Sequence, residues 1–231
     1  MKVAIMQPYF FPYIGYFQLI NAVDVFIVYD NIKYTKKGWI NRNRILQNGS
    51  DVMFSLPLKK DSDYLNVDQR FLSPDFDRKK LLNKIKEAYR KAPYFEMGYN
   101  LIENSVLHDE DNLFEYIYYS LKDICRFLDI STEIKVSSSI DINHSLQSEE
   151  KVLAICENLG AETYINAIGG HNLYSQKKFS NYDIGLKFIQ TNAIGYKQLN
   201  NDFVPGLSIL DVIMFNDKEK IIAMLGRYEL I

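Results

Sequence analysis

Residues 3–29 set apolar runs and turn residues in an order that few folds accept. Val3 to Met6 is an apolar run closed by Gln7-Pro8. Proline ends a strand because it donates no ladder hydrogen bond and drives the residue before it into extended geometry. Pro12 and Gly15 then punctuate a turn, and Tyr16, Phe17, Leu19, Ile20 and Val23 fall on one helical face. Asp24 opens a second apolar run, Val25 to Tyr29, which stops at Asp30-Asn31. Strand, turn, helix, strand closes right-handed into a parallel pair and leaves both carboxyl ends on one edge, where ligands of open α/β sheets bind. The predicted class is therefore α/β, with a Rossmann-like, mostly parallel sheet.

Further strands are predicted near 52–56, 133–137, 163–166 and 186–190 of the same sheet. Between the third and fourth, the period changes to that of helices. Leu81, Leu82, Ile85, Ala88 and Tyr89 form one stripe before Pro93, and Leu113, Tyr116, Ile117, Leu121, Ile124 and Leu128 form another. The expectation is a single α/β domain over 1–231 with a helical insertion at about 76–130, covering the sheet or closing over its ligand edge. Ser148-Glu149-Glu150 opens a helix that Gly160 ends as C′ residue. Ser208-x-x-Asp211 reads as a capping box, and Asp217 caps a last helix. Ala167 to Gly170 is a second strand-to-glycine turn, predicted to face the same edge as Gln7-Pro8.

Between Lys33 and Arg44 the chain carries five cations (Lys33, Lys36, Lys37, Arg42 and Arg44), no acid, and Tyr34, Trp39, Asn41 and Asn43 among them. Guanidinium forks and amides recognise anionic or planar groups, and Tyr and Trp offer stacking faces, so the mixture suits a phosphate attached to a ring. The alternative is a solvated basic hairpin. A net charge of −2 supplies no overall attraction to nucleic acid or anionic membrane, which points the cations toward a small phosphate-bearing molecule. The candidate binding residues are Gln7, Tyr9, Tyr16, Tyr34, Lys37, Trp39, Asn41, Arg42, Asn43, Arg44, Ser137, Ser138, Gly169 and Tyr196.

Two residues are candidates for proton transfer. Asp30 ends the second strand beside the basic stretch, where it would hold a ribose hydroxyl, accept an amine proton, or pair with Arg42 or Arg44. His171 follows the Gly169-Gly170 turn, with His144 as runner-up and a surface or capping role as the alternative for either. Walker, Gly-x-Gly-x-x-Gly and metal-spaced patterns are absent, so no cofactor and no metal are expected. Cys125 and Cys156 fall on apolar helix faces and read as packing residues. With two unpaired cysteines and no run approaching the ~20 apolar residues of a membrane span, the expectation is a cytoplasmic protein without membrane insertion.

Gln7-Pro8-Tyr9, Pro12-Tyr13-x-Gly15-Tyr16, Asp30, Lys37-x-Trp39-x-Asn41-Arg42-Asn43-Arg44 and Leu207-Ser208-Ile209-Leu210-Asp211 together resemble the WbqC-like family of bacterial O-antigen and polysaccharide gene clusters. The resemblance runs nearly end to end, and its Gly-Trp-x-Asn-Arg-Asn-Arg string is the specific part. It implies an enzyme that moves an acyl or aminoacyl group to the amine of a nucleotide-linked amino sugar or similar amine. A rival is a non-catalytic module that binds a nucleotide-sugar or glycan. The first turn is also similar in position to the His-x-Gly-His turn of nucleotidyltransferase-like folds, with Tyr13 and Tyr16 where the histidines stand. A phenol donates to phosphate but carries no imidazolium charge, so the third reading, an ATP-dependent ligase, is the weakest of the three.

Overall fold

A computed structural model describes residues 1–199 and 202–231. Six strands form the main sheet: β1 (Lys2–Met6), β2 (Val25–Val28), β5 (Glu133–Val136), β6 (Thr163–Ala167), β7 (Gly185–Thr191) and β8 (Tyr228–Leu230). Their order is β5-β2-β1-β6-β7-β8; the first five are parallel, and β8 runs antiparallel on the edge beside β7. Val3 lies opposite Val25 and Met6 opposite Val28, the parallel pair expected from the opening sequence. The mostly parallel sheet with helices on both faces is a Rossmann-like α/β arrangement.

Central strands of such a sheet are covered on both sides and carry apolar residues on both faces. On one face Ala4, Phe26, Val28, Ile165 and Ile189 pack with α1 (Ile14–Asn21) and with three helices placed between β2 and β5. These are α2 (Arg78–Tyr89), α3 (Phe95–Leu107) and α4 (Leu113–Phe127), the segment read as a helical insertion. On the other face Val3, Ile5, Val25, Ile27, Tyr164 and Phe188 meet α5 (Ser148–Asn158) and Phe179 of α6 (Gln176–Ser180). The chain ends with α7 (Ile209–Phe215), α8 (Lys218–Leu225) and β8. Gly160 follows the last turn of α5 at φ 67°, the left-handed geometry that favours glycine at C′.

The expected third strand of the main sheet is the principal correction. Residues 52–55 belong to β4 (Ser50–Ser55), which pairs antiparallel with β3 (Arg42–Gln47) in a separate two-stranded ribbon. The turn between them is Asn48-Gly49 with both φ positive, 51° and 77°, and a two-residue turn of that kind folds a strand back on its neighbour. A local hairpin therefore formed where a crossover to the sheet was expected, and only the end of the basic stretch, Arg42 to Arg44, entered one of its strands.

The expected capping box at Ser208 is also half realised. Ser208 Oγ accepts from the Leu210 amide at 3.3 Å as an N-cap, but the Asp211 side chain turns inward to Tyr196 and Gln198 instead of reaching back.

Candidate functional site

Strand order reverses direction at β1, which pairs with β2 on one side and β6 on the other. The crevice above the carboxyl ends at such a reversal is where open α/β sheets bind ligands. A cleft of about 500 Å³ lies there. Its floor is Met6 from the end of β1, Ala167 and Ile168 from the end of β6, and Ile189, Gln190 and Thr191 from the end of β7. Tyr9, Pro12, Tyr13, Gly15, Tyr16 and Leu19 form one wall; Trp39, Asn43, Arg44 and Gly206 form the rest. The Gln7–Tyr16 turn and the turn after β6 thus border one cavity.

The first turn is held in place by distant residues. Phe11 takes φ 44°, costly for a non-glycine residue. Its carbonyl accepts from Asn43 Nδ2 at 2.9 Å and Ser208 Oγ at 2.7 Å, and the Ile209 amide donates to Pro12 O at 2.8 Å. Tyr16 Oη donates to Gln7 O at 2.8 Å, and Tyr9 Oη to Gln7 Oε1 at 3.2 Å. Burial raises the pKa of Tyr9, Tyr13 and Tyr16, so these phenols stay neutral hydrogen-bond donors at neutral pH.

Gly15 opens α1 against the end of β7. A Cβ there would lie 2.7 Å from Thr191 Oγ1, which itself donates to Gln18 Oε1 at 2.7 Å.

Arg44 is the cation of the cleft. Its Nη1 meets Asp51 at 3.1 Å and its Nη2 donates to Gly206 O at 3.1 Å, while its Nε is buried without a partner among the described residues. Arg42 and Arg44 share one face of β3, and their guanidinium groups stand 5.9 and 5.5 Å from the Trp39 ring. Arg42 lies outside the cleft lining. It donates from Nε to Gly38 O at 2.8 Å and from Nη2 to the carbonyl of Lys37, clasping its own loop, and the Lys37 side chain is exposed.

Tyr34 and Asn41 lie apart from the cleft as well. Tyr34 Oη donates to Asn41 Oδ1 at 2.8 Å, and Asn41 Nδ2 to Leu56 O at 2.8 Å.

Asp30, Ser137 and Ser138 meet at the carboxyl ends of β2 and β5, outside the cleft lining. The buried Asp30 carboxylate accepts from Ser137 Oγ at 2.6 Å and from the Ser138 amide at 2.9 Å. Nearby, Lys151 Nζ donates to Asn31 Oδ1 at 3.0 Å, and Asn31 Nδ2 lies 3.0 Å from His144 Nδ1. Burial lowers the Lys151 pKa, and Asp30 and Asp68 oppose that shift.

His171 is exposed, with its ring 4.9 Å from Phe188 on the α5 and α6 face. It too lies outside the cleft lining, so the two residues read as proton-transfer candidates do not border this cavity. Gly169 has open space where a Cβ would stand; the tight approach is at Gly170, 2.7 Å from Asn166 Nδ2. Tyr196 donates to Asp211 at 2.7 Å and packs on Phe203 and Phe215.

Gln190 and Thr191 were not anticipated, whereas Ile168 belongs to the Ala167–Gly170 turn expected on this edge. The signal for the first two was available, because the end of any parallel strand in the sheet emerges on the same edge. Both cysteines are buried, their thiol pKa raised to about 12. Among the described residues no helix is long and apolar enough to cross a membrane, and no cluster of three acidic, histidine or cysteine side chains has metal-binding geometry.

Comparison with known sequences places the chain. It is 28% identical over 218 residues to Uncharacterized protein Rv1507c of Mycobacterium tuberculosis (strain ATCC 25618 / H37Rv), covering 93% of each chain. Residues 7–223, which hold both walls and the floor of the cleft apart from Met6, match the model of the WbqC-like protein family, and the chain belongs to that family.

Proposed function

We propose that the cleft above β1, β6 and β7 binds a small molecule carrying an anionic group on a ring, of the kind a nucleotide-linked sugar presents. The observation that carries this reading is the pairing of Arg44 with the Trp39 ring on one wall of a largely apolar cavity at the sheet's reversal point. Arg44 supplies charge and donors to the anion, and Trp39, Tyr9 and Tyr13 supply ring faces. The ion pair to Asp51 is exposed and worth about 0–1 kcal/mol, so an incoming phosphate replaces it at small cost. Isothermal titration against a panel of nucleoside diphosphate sugars tests this. Micromolar to millimolar binding that Arg44→Gln weakens is expected, and binding indifferent to Arg44 would sink the reading.

Acyl or aminoacyl transfer to the amine of such a sugar is the second reading, favoured by the strained, doubly anchored Phe11 turn, since stored backbone strain marks sites where ligand geometry matters. In that reaction the amine nitrogen forms a bond to the donor's carbonyl carbon, the donor's thiolate or adenylate leaves, and a base takes the amine proton. Among the described residues no carboxylate, imidazole or thiol lines the cleft, so the base comes from the donor or solvent, and the chain's part is binding and orientation. Mass spectrometry of the nucleotide-sugar pool with and without the gene separates the two. A free-amine sugar nucleotide accumulating without it supports transfer; an unchanged pool leaves binding alone.

A further inference from the structure

The basic stretch divides its residues between two cavities. Trp39, Asn43 and Arg44 face the cleft, whereas Tyr34, Lys36 and Asn41 line a second cavity of about 270 Å³ that shares no lining residue with it. Its other walls are Leu58, Lys59, Lys60, Asp61 and Arg70, so four cations oppose one carboxylate.

Arg70 is the unusual member. It is 5% exposed, yet it takes part in no ion pair among the described residues. An unpaired buried charge is costly and is ordinarily matched by a counterion. Asp63 feels its field but bonds to Lys36 at 2.7 Å instead. Nη1 donates to Ser62 O at 3.0 Å, Nη2 to Lys59 O at 3.3 Å, and Nε is buried with no partner among the described residues. A guanidinium has five N–H donors, so three remain uncommitted. The plane stands 5.0 Å from the Tyr34 ring, and Tyr34 is fixed by Asn41, which leaves Arg70 little freedom to swing toward solvent.

We propose that this cavity is a second anion site, for a phosphate-type oxyanion, separate from the cleft. Arg70 supplies the fixed planar donors, and Lys59 and Lys60, both exposed at its mouth, supply mobile point charges. A phosphoryl or pyrophosphate group suits the site better than a carboxylate, because several converging cations compensate a multiply charged anion.

Isothermal titration with sodium pyrophosphate tests the proposal, with sodium succinate as the carboxylate probe. Arg70 is partly structural, so the informative variant is the surface pair Lys59→Gln/Lys60→Gln, with Arg44→Gln as the cleft control. The expected result is a pyrophosphate site that the lysine pair weakens at least about ten-fold and that stays in place in Arg44→Gln, which removes only binding in the cleft, with succinate binding much more weakly. The reverse pattern would put the anion in the cleft and overturn the second site. Undetectable pyrophosphate binding at millimolar concentration would overturn it too. Succinate binding as tightly as pyrophosphate would overturn the assignment to phosphate.

Discussion

The Asn43 amide donates to the Phe11 carbonyl at 2.9 Å across 32 positions of sequence, and Phe11 sits there at φ 44°. A residue of the ribbon thus holds a strained turn of the main sheet, and Ser208 from the start of α7 donates to the same oxygen. Asn43→Ala and Ser208→Ala should each cost about 1–3 kcal/mol, since each removes a donor from a buried carbonyl. Sharing one acceptor, their effects should be non-additive in a double-mutant cycle read by urea unfolding. Simple additivity would show that the two anchors act independently.

Arg44→Gln should weaken an anionic cleft ligand by about 1–3 kcal/mol, the range for a lost charge-assisted bond, while leaving thermal stability nearly unchanged. Arg42→Ala should do the opposite. Its donors hold the carbonyls of Lys37 and Gly38, so the loop bearing Trp39 loosens and protease nicking near 37–39 rises. Calorimetric titration and limited proteolysis of both variants check the contrast.

Gly15→Ala should destabilise by about 1–3 kcal/mol, because the added methyl meets Thr191 Oγ1 at 2.7 Å and that oxygen is tied to the buried Gln18. Combining it with Thr191→Ala removes the clash, so the double variant should lose less than the sum of the single ones. Thermal denaturation of the four proteins decides it.

Asp211 is fully buried and accepts from Tyr196 and from Gln198 at 2.6 Å, and desolvation raises its pKa from the ordinary aspartate value against the hydrogen bonds that lower it. A raised folded-state pKa means the native chain binds the proton more tightly than the unfolded one. This group's contribution therefore falls as pH climbs from the unfolded carboxylate value through the folded one, and it is most favourable below both. Asp211→Asn removes that dependence. The stability difference between variant and parent, followed by urea midpoints between mildly acidic and neutral pH, should shift toward the variant as pH rises. A difference flat in pH would mean the carboxylate is not held in this way.

Cys125 and Cys156 should be unreactive toward a thiol reagent at pH 8 until the chain unfolds, since burial lifts both thiols to about 12 and leaves almost no thiolate. A fast native-state reaction of either one would contradict its place in the core.

What the sequence determined by itself was everything that repeats locally. Val3–Met6 and Val25–Tyr29, each apolar, closed by a breaker and separated by one helix, read as a covered parallel pair, and the helical stripes from Leu81 to Leu128 read as amphipathic helices. Gly160 marked its own helix end. The reversal of strand order, and hence the location of the cleft, depended on β6 pairing with β1 more than 150 positions away, a choice that packing makes. Side-chain direction in the basic stretch was likewise a tertiary matter. Arg42 and Arg44 lie on one face of β3, so what each one reaches depended on its position along the ribbon and on where the Asn48-Gly49 hairpin docked. Hence Arg44 reached the cleft while Arg42 turned to its own loop, and Tyr34 and Asn41 joined Arg70 at a cavity that the string of cations could not announce.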